Sequence, residues 1–293
     1  MKNNVLAKKI LCGLLAAGVL GVAGSAMAIN AGINNQEQAE VNINGVYDAG
    51  IYGSTNNTFK FDKVDITINP DTEKKFAGVR ADAVENGRAT INLGSKGETI
   101  SINVVDQTDK SNNQAKGLWA VGKSGNYNGG LINVAGENLI INVESKAGWA
   151  FGIQAQNMTS NASDSLEKAT ININSENTYV NVKTGVPGQA SGLTTMSEGI
   201  LNINSNLEVH ADNAITTRGD SVININTDGK HSTKLYGDIS FSYDEATSGT
   251  KVDAKLNVNL TGADSVWNGN TVVEWGLKNG STSSYEQLKE IEN

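Results

Sequence analysis

One short alternation of an apolar residue with asparagine or threonine recurs along the chain and constrains its fold more than any other feature. Its eight copies are VNING at 41–45, ITINP at 66–70, TINLG at 90–94, LINVA at 131–135, ATININ at 169–174, LNINS at 201–205, ININT at 223–227 and LNVNL at 256–260. A two-residue period is typical of a strand with one buried face. Because such a strand returns every 22 to 41 residues, the sequence indicates a repeat architecture.

Two further series accompany these Asn-strands. The Gly-strands begin with Gly or Ala, then an aliphatic residue and, two places further, a small residue: GIYGS at 50–54, GVRAD at 78–82, GLWAV at 117–121, GIQAQ at 152–156, GLTTM at 192–196 and AITTR at 214–218. The third strands are ISINV at 100–104, LIINV at 139–143, YVNVK at 179–183 and LEVHA at 207–211. The order Gly-strand, Asn-strand, third strand and polar loop repeats, which predicts an all-β parallel solenoid with three strands per turn.

Stacking of the strands explains why the alternation is repeated. One such strand cannot bury its apolar face alone, so we expect Ile171 and Ile173 to point into a continuous core and Asn172 to point outward. The asparagines at matching positions should form a hydrogen-bonded amide ladder, which Thr67 interrupts. Its expected members are Asn42, Asn92, Asn133, Asn172, Asn202, Asn224 and Asn257. The polar segments at 106–114 and 157–168 are predicted loops between strands.

The first 28 residues have the basic start, apolar middle and small-residue ending of a secretory signal peptide. Cleavage after Ala28 would remove Cys12, the only cysteine, so the exported chain would have no disulfide or thiol ligand. It would also remove three lysines and change the formal net charge from −8 to −11. This acidity argues against a nucleic-acid partner, which needs a basic surface.

The sequence offers no constellation of catalytic or metal-ligating residues. Asp82 follows a Gly-strand, but the matching positions of other turns hold Ser54, Val121 and Gln156, so no column of acids forms. The two histidines, His210 and His231, lie in different contexts and lack a paired His or Cys for zinc. We therefore predict a protein that is not an enzyme and has no metal or cofactor.

A row of variable residues in the Gly-strands is the predicted binding surface. It follows the inward aliphatic position and comprises Tyr52, Arg80, Trp119, Gln154, Thr194 and Thr216. Such variation in size and polarity is not expected in a packed core, so we expect the row to face outward. Because Tyr, Arg and Trp are enriched in binding hot spots, the predicted ligand-binding residues are Trp119, Arg80, Tyr52 and Gln154. The alternative is a solvent-facing row with no ligand.

Tryptophans elsewhere have structural or supporting roles in this interpretation. Trp149 is expected either to extend the predicted binding patch or to cover a gap between turns. Trp267 and Trp275 are expected to close the C-terminal end of the solenoid, where the last turn must be covered.

The signal peptide, the strand motifs and LTGADSVWNGN at 260–270 resemble the passenger region of bacterial autotransporters over about 41–276. The resemblance implies a right-handed parallel β-helix of about eight irregular turns in an exported, adhesin-like protein at the cell surface. It implies a glycan or a host surface protein as partner. Two alternatives stay open: a carbohydrate-active β-helix enzyme of the pectate lyase or glycoside hydrolase kind, and an inert, truncated fragment.

The expected division is a signal peptide at 1–28, one elongated β-helix domain at 29–276 and a cap or tail at 277–293. Autotransporters normally continue into a C-terminal β-barrel, whereas this chain ends in YEQLKEIEN. The expectations are therefore a truncated passenger, one half of a split system with a separately encoded outer-membrane barrel, or a free exported solenoid. The last of these would be periplasmic without a barrel partner.

Overall fold

The computed structural model describes residues 29–71, 75–123, 125–157, 167–244 and 254–276. In these ranges the chain forms strands and turns but no α-helix, and hence no helix with the length and apolar character to cross a membrane. The predicted signal peptide, the predicted cap or tail and most of the 157–168 loop lie outside the described residues. The predicted division into segments stays a prediction.

The strands in chain order are β1 (Ala31–Asn34), β2 (Glu40–Gly45), β3 (Ala49–Gly53), β4 (Thr58–Phe61), β5 (Lys63–Ile68), β6 (Lys75–Ala81), β7 (Val84–Glu85), β8 (Thr90–Leu93), β9 (Thr99–Asp106), β10 (Gln114–Gly122), β11 (Tyr127–Asn128), β12 (Leu131–Ser145), β13 (Trp149–Asn157), β14 (Thr170–Thr184), β15 (Ala190–Met196), β16 (Ile200–Ile203), β17 (Asn206–Arg218), β18 (Val222–Ile225), β19 (Thr233–Asp244), β20 (Lys255–Val258), β21 (Val266–Asn268) and β22 (Thr271–Gly276).

The strands stack in three columns of parallel pairs, and only β7 and β11, among the described strands, pair outside this large sheet. The Gly column runs β1, β3, β6, β10, β13, β15, β17, β19, β22. The Asn column runs β4, β8, β12, β14, β16, β18, β20. The third column runs β2, β5, β9, β12, β14, β17, β19, β21. The long strands β12, β14, β17 and β19 each belong to two columns, so the sheet wraps round an axis, as in a β-solenoid.

The register confirms six of the eight predicted Asn-strands and corrects the first two. Val41 pairs with Val64 and Ile66 pairs with Ile102, so VNING and ITINP lie in the third column. The segment TFKF at 58–61 takes the vacant place in the Asn column and puts Lys60 beside Asn92. Asn-strands and third strands share one period, and the period alone therefore cannot assign a copy to its column.

The inward residues of all three columns form one continuous apolar core that extends from Ile33 to Ile239. Ile171 and Ile173 are fully buried, whereas Asn172 is half-buried on the outer side, as the alternation predicts. Near the C-terminal end, Trp267 of β21 packs against this core and its indole nitrogen donates to the Gly237 carbonyl at 3.2 Å. The side chain of Trp275 lies outside the described residues.

The predicted amide ladder is present in the Asn column. The Nδ2 group of each asparagine donates to the Oδ1 atom of the asparagine one turn earlier, at 2.8–2.9 Å. Its members are Asn92, Asn133, Asn172, Asn202, Asn224 and Asn257. Asn42 is not a member, because it lies beside Asp65 in the third column.

Close backbone approach explains the first residue of each Gly-strand. A Cβ atom on Gly50 would lie 2.6 Å from the Gly78 carbonyl oxygen, and one on Gly152 would lie 2.6 Å from the Gly192 carbonyl oxygen. Real side chains essentially never approach a backbone atom so closely. Glycine is therefore repeated here because adjacent turns leave no room for a side chain, until Ala214 takes the position near the C-terminal end.

Candidate functional site

The predicted binding row exists as a row. Tyr52 pairs with Arg80, Arg80 with Trp119, and Trp119 with Gln154, in four successive turns of the Gly column. All four point away from the main core. Leu118 belongs to that core, while the adjacent Trp119 belongs to a separate apolar cluster.

The expected exposure of this row is wrong for Trp119 and Gln154, each only 1% exposed, and for Thr194, which is fully buried. The reason is that the outer side of the Gly column is itself covered: Lys116 and Val121, which flank Trp119 on the same side, are buried as well. Contacts with Lys116, Arg80 and Val121 on this outer side therefore bury the Trp119 ring that the sequence predicted to face solvent. Whether any member of the row binds a ligand stays a prediction.

Two of the partly exposed members of the row, Tyr52 and Arg80, are engaged with a carboxylate. Arg80 donates from Nε to Asp82 Oδ1 at 2.6 Å and from its terminal nitrogen to Oδ2 at 2.9 Å. The Tyr52 hydroxyl donates to Asp82 Oδ2 at 2.8 Å. Burial and the neighbouring Asp82 raise the pKa of Tyr52 to about 12. Asp82 therefore holds both side chains in place and uses much of their hydrogen-bonding capacity.

Lys116 is fully buried in the same outer layer. Its Nζ atom donates to Gln114 Oε1 at 2.9 Å and lies 4.3 Å from the ring centre of Trp119 and 5.3 Å from that of Phe151. The Arg80 guanidinium carbon lies 4.3 Å from the Trp119 ring centre. Burial lowers the pKa of Lys116 well below its usual range, and the nearby positive charges lower it further.

We expect Lys116→Met to raise the free energy of unfolding by about 1 kcal/mol near neutral pH, because methionine fills a similar volume without a buried charge. The gain should shrink as pH rises. The unfolded lysine keeps its proton up to about pH 10.4, whereas the folded lysine releases it earlier, so the wild-type chain gains stability across that interval. Urea unfolding between pH 7 and 10 measures this, below the range in which Tyr52 titrates.

The matched control for Lys116 is Lys63→Met, because Lys63 lies on an exposed strand position. Its midpoint should follow the wild type at every pH. A Lys116→Met midpoint that falls below the wild type would show instead that the aromatic rings stabilise a charged amine there.

A second row of aromatic side chains lies on the outer side of the third column. It comprises Tyr179 of β14, His210 of β17 and Tyr236 of β19, and we call it the aromatic row. The His210 ring lies 5.7 Å from the Tyr179 ring and stacks on the Tyr236 ring at 4.5 Å. Tyr179 is 38% exposed. His210 Nε2 and Glu208 Oε1 are 2.7 Å apart, which fixes the imidazole between the two phenol rings.

The aromatic row was not predicted from the sequence because Tyr179 is offset from His210, and because Tyr236 lies in β19, which none of the repeated motifs marks. Tyr179 pairs with Glu208, while His210 pairs with Asn181 and Tyr236. The available signal was that YVNVK and LEVHA both carry a ring at an outward position. In the sequence, His210 stands out only as one of two histidines, neither of which has a partner for zinc.

Two of the grooves on the outer surface of the described residues adjoin these rows of side chains. One, of about 550 Å³, adjoins the aromatic row and is called the aromatic groove; it is lined by Asn177, Thr178, Tyr179, Asn206, Leu207, Glu208, Lys230, Ser232, Lys234, Gly262, Ala263 and Asp264. The other, of about 690 Å³, follows the amide ladder and is called the amide groove; it is lined by Lys60, Asn92, Leu93, Gly94, Asn133, Val134, Ala135, Asn172, Asn174, Asn202, Ile203, Asn204, Asn224 and Thr227. Both volumes fall in the usual range for ligand sites.

A buried carboxylate in the described part of the chain has a structural role. The buried Asp106 accepts hydrogen bonds from Thr108 at 2.7 Å, Ser145 at 3.0 Å and Asn113 at 3.1 Å, which ties a corner of the third column to the next turn. Among the described residues, no group of three His, Cys, Asp or Glu side chains is arranged to hold a metal ion.

Comparison of the chain with models of known protein families, with characterised proteins and with solved structures finds no match. The functional conclusion therefore rests on the residues of this chain and on the surfaces that its strand columns create.

Proposed function

We propose that the chain is an exported, non-catalytic protein of the autotransporter-passenger kind, a right-handed parallel β-helix that acts like an adhesin at the cell surface. Its ligand is a glycan, presented free or on a host surface protein. The secretory-type N-terminus and the strand motifs support the first statement. The aromatic row beside the aromatic groove supports the second.

The aromatic row is the observation that carries this proposal. The faces of aromatic rings stack on the apolar faces of sugars, and tyrosine adds a polar edge for the hydroxyl groups. The aromatic groove beside the row offers amides, Lys230, Lys234 and Asp264 as hydrogen-bonding groups for the same ligand. Because these side chains lie on a stack of paired strands, little ordering entropy is lost when a ligand binds.

One feature of the aromatic groove favours a second candidate function, that of a glycoside hydrolase. Glu208 and Asp264 line the same groove, and hydrolysis of a glycosidic bond generally requires two carboxylates. The 2.7 Å contact of Glu208 with His210 gives that carboxylate a role in holding the ring, which is why binding is preferred here.

The experiment is a glycan array probed with the exported wild-type chain and with Tyr179→Ala. We expect the wild type to bind a defined set of glycans and Tyr179→Ala to bind them at least about tenfold more weakly, as for a hot-spot aromatic. Because Tyr179 is partly exposed, its removal should change the thermal unfolding midpoint little.

Tyr127→Ala is the matched control, since it removes an aromatic ring that lies outside both grooves and should leave binding unchanged. Chromatography of the bound glycan after incubation tests the second candidate. Glycan of unchanged length supports binding alone, whereas shortened products that disappear in Glu208→Gln would identify a hydrolase. No binding to any glycan would contradict both.

A further inference from the structure

The amide groove combines three properties that together suggest a ligand. It is concave, it crosses several turns, and its lining has hydrogen-bonding amides but almost no charge. Five ladder asparagines, from Asn92 to Asn224, line it, which corresponds to a length of roughly 19 Å at strand spacing. Among the described residues of the lining, the one with a charge is Lys60, at the end next to Asn92.

The ladder leaves hydrogen-bonding capacity on every rung. A side-chain amide has two N–H donors and an oxygen with two lone pairs. Asn172 uses one N–H toward Asn133 and one lone pair toward Asn202, at 2.9 and 2.8 Å. Each interior rung therefore keeps one donor and one acceptor for a further partner. The half-buried position of these amides favours a partner that replaces the water they would otherwise bind.

Small residues at the corner of the fold open the groove beside the ladder. Gly94 adopts a φ of 85°, a conformation that favours glycine, and a Cβ atom there would collide with the Ala135 carbonyl oxygen. Ala135 itself is exposed and occupies the position that Asn174 and Asn204 take in the next two turns. Asn204 donates to Asn174 at 3.3 Å, so the second wall of the groove also presents amides.

Charge selects the class of ligand. The whole chain is acidic, with a formal net charge of −8, so an anionic polymer would be repelled in general. The described lining of the groove has no carboxylate for a cationic ligand. What it does offer is a line of neutral donors and acceptors at a regular spacing, which suits an uncharged chain that carries hydroxyl groups along its length.

We propose that the amide groove is a second binding site, which takes an extended, uncharged oligosaccharide along the ladder. This proposal shares with the proposed function the assumption that the protein binds glycans, but the amide groove and the aromatic groove have no lining residue in common. Different substitutions therefore test the two sites.

The test is isothermal titration calorimetry of the full exported chain with cellohexaose, mannohexaose and xylohexaose as uncharged probes and hexagalacturonate as a charged probe. We expect at least one uncharged probe to bind and hexagalacturonate not to bind. Ala135→Phe, which fills the groove and leaves every ladder amide in place, should weaken binding at least about tenfold. The Tyr179→Ala variant should bind the same probe as tightly as the wild type. If Ala135→Phe fails to fold, Asn174→Phe places the same ring in the groove from the next turn.

Asn142→Asp is the matched control. Asn142 donates to Asn103 at 3.0 Å in a similar amide pair, but it lies in the third column and lines neither groove. Binding should survive this change. The proposal is overturned if no uncharged probe binds, if hexagalacturonate binds equally well, or if Ala135→Phe and Asn174→Phe both bind like the wild type. Loss of binding in Tyr179→Ala alone would support binding at the aromatic row and would overturn the proposal of a site in the amide groove.

Discussion

Ile171→Asp is expected to lower the free energy of unfolding by about 3–5 kcal/mol, because it places an unpaired carboxylate in the core. Ile171 is fully buried and lies in register between Ile132 and Leu201 of the adjacent turns. No described cation points into this core to pair with the new charge. Urea unfolding followed by circular dichroism measures the loss.

Asn172→Asp is the control for this substitution. The new side chain points outward and keeps an acceptor for Asn202, but it loses the hydrogen bond that Asn172 donates to Asn133 and must turn its second oxygen toward water, away from Asn133 Oδ1. A loss of about 1 kcal/mol is expected from one such bond. Equal losses in the two variants would contradict the strand register, since a slip of one residue exchanges the buried and outer faces.

Trp119→Ala should destabilise the chain by about 3–5 kcal/mol, the usual range for removal of a buried large aromatic side chain. An outward, ligand-binding Trp119, as predicted from the sequence, would instead imply little change in stability. The structure changes the expectation because Trp119 is buried among Lys116, Arg80 and Val121 on the outer side of the Gly column. Thermal unfolding and urea titration measure the change.

Trp149→Ala provides the comparison for Trp119. Trp149 is 43% exposed and stacks on Phe151 with ring centres 6.3 Å apart, so its removal should change stability by less than about 1 kcal/mol. If Trp119→Ala instead keeps the unfolding midpoint of the wild type, contacts on the outer side of the Gly column do not contribute to stability. Trp119 is then again a candidate for ligand contact.

The repeated motifs predicted most of the strands and the register of the Asn-strands from TINLG onward, but they did not mark β1, β4, β7, β11, β19, β21 and β22. Ile91, Ile132, Ile171, Leu201 and Ile223 follow one another in the Asn column as the sequence indicates. The period could not place VNING and ITINP, because Asn-strands and third strands carry the same alternation. The column to which each of these two strands belongs depends on the length of chain that connects one turn to the next. The strand that takes their expected place, TFKF at 58–61, has no asparagine and so does not show the motif.

The candidate sites were harder to predict for a physical reason. Alternation fixes the side of a strand to which Trp119 points, but it does not show whether that side is covered by other parts of the chain. The aromatic row shows a different difficulty: His210 and Tyr236 are register partners, whereas Tyr179 reaches His210 only because the two rings lean diagonally across adjacent turns. Such contacts depend on side-chain direction as well as on register.

Hydrogen–deuterium exchange of the full exported chain, with and without a glycan selected on the array, tests the central claim most directly. If the aromatic row binds the glycan, peptides that cover Tyr179, Glu208–His210 and Lys234–Tyr236 should gain protection, and the glycan should be recovered with its length unchanged. Protection confined to the outer layer around Trp119, with no change at Tyr179, His210 or Tyr236, would contradict the account.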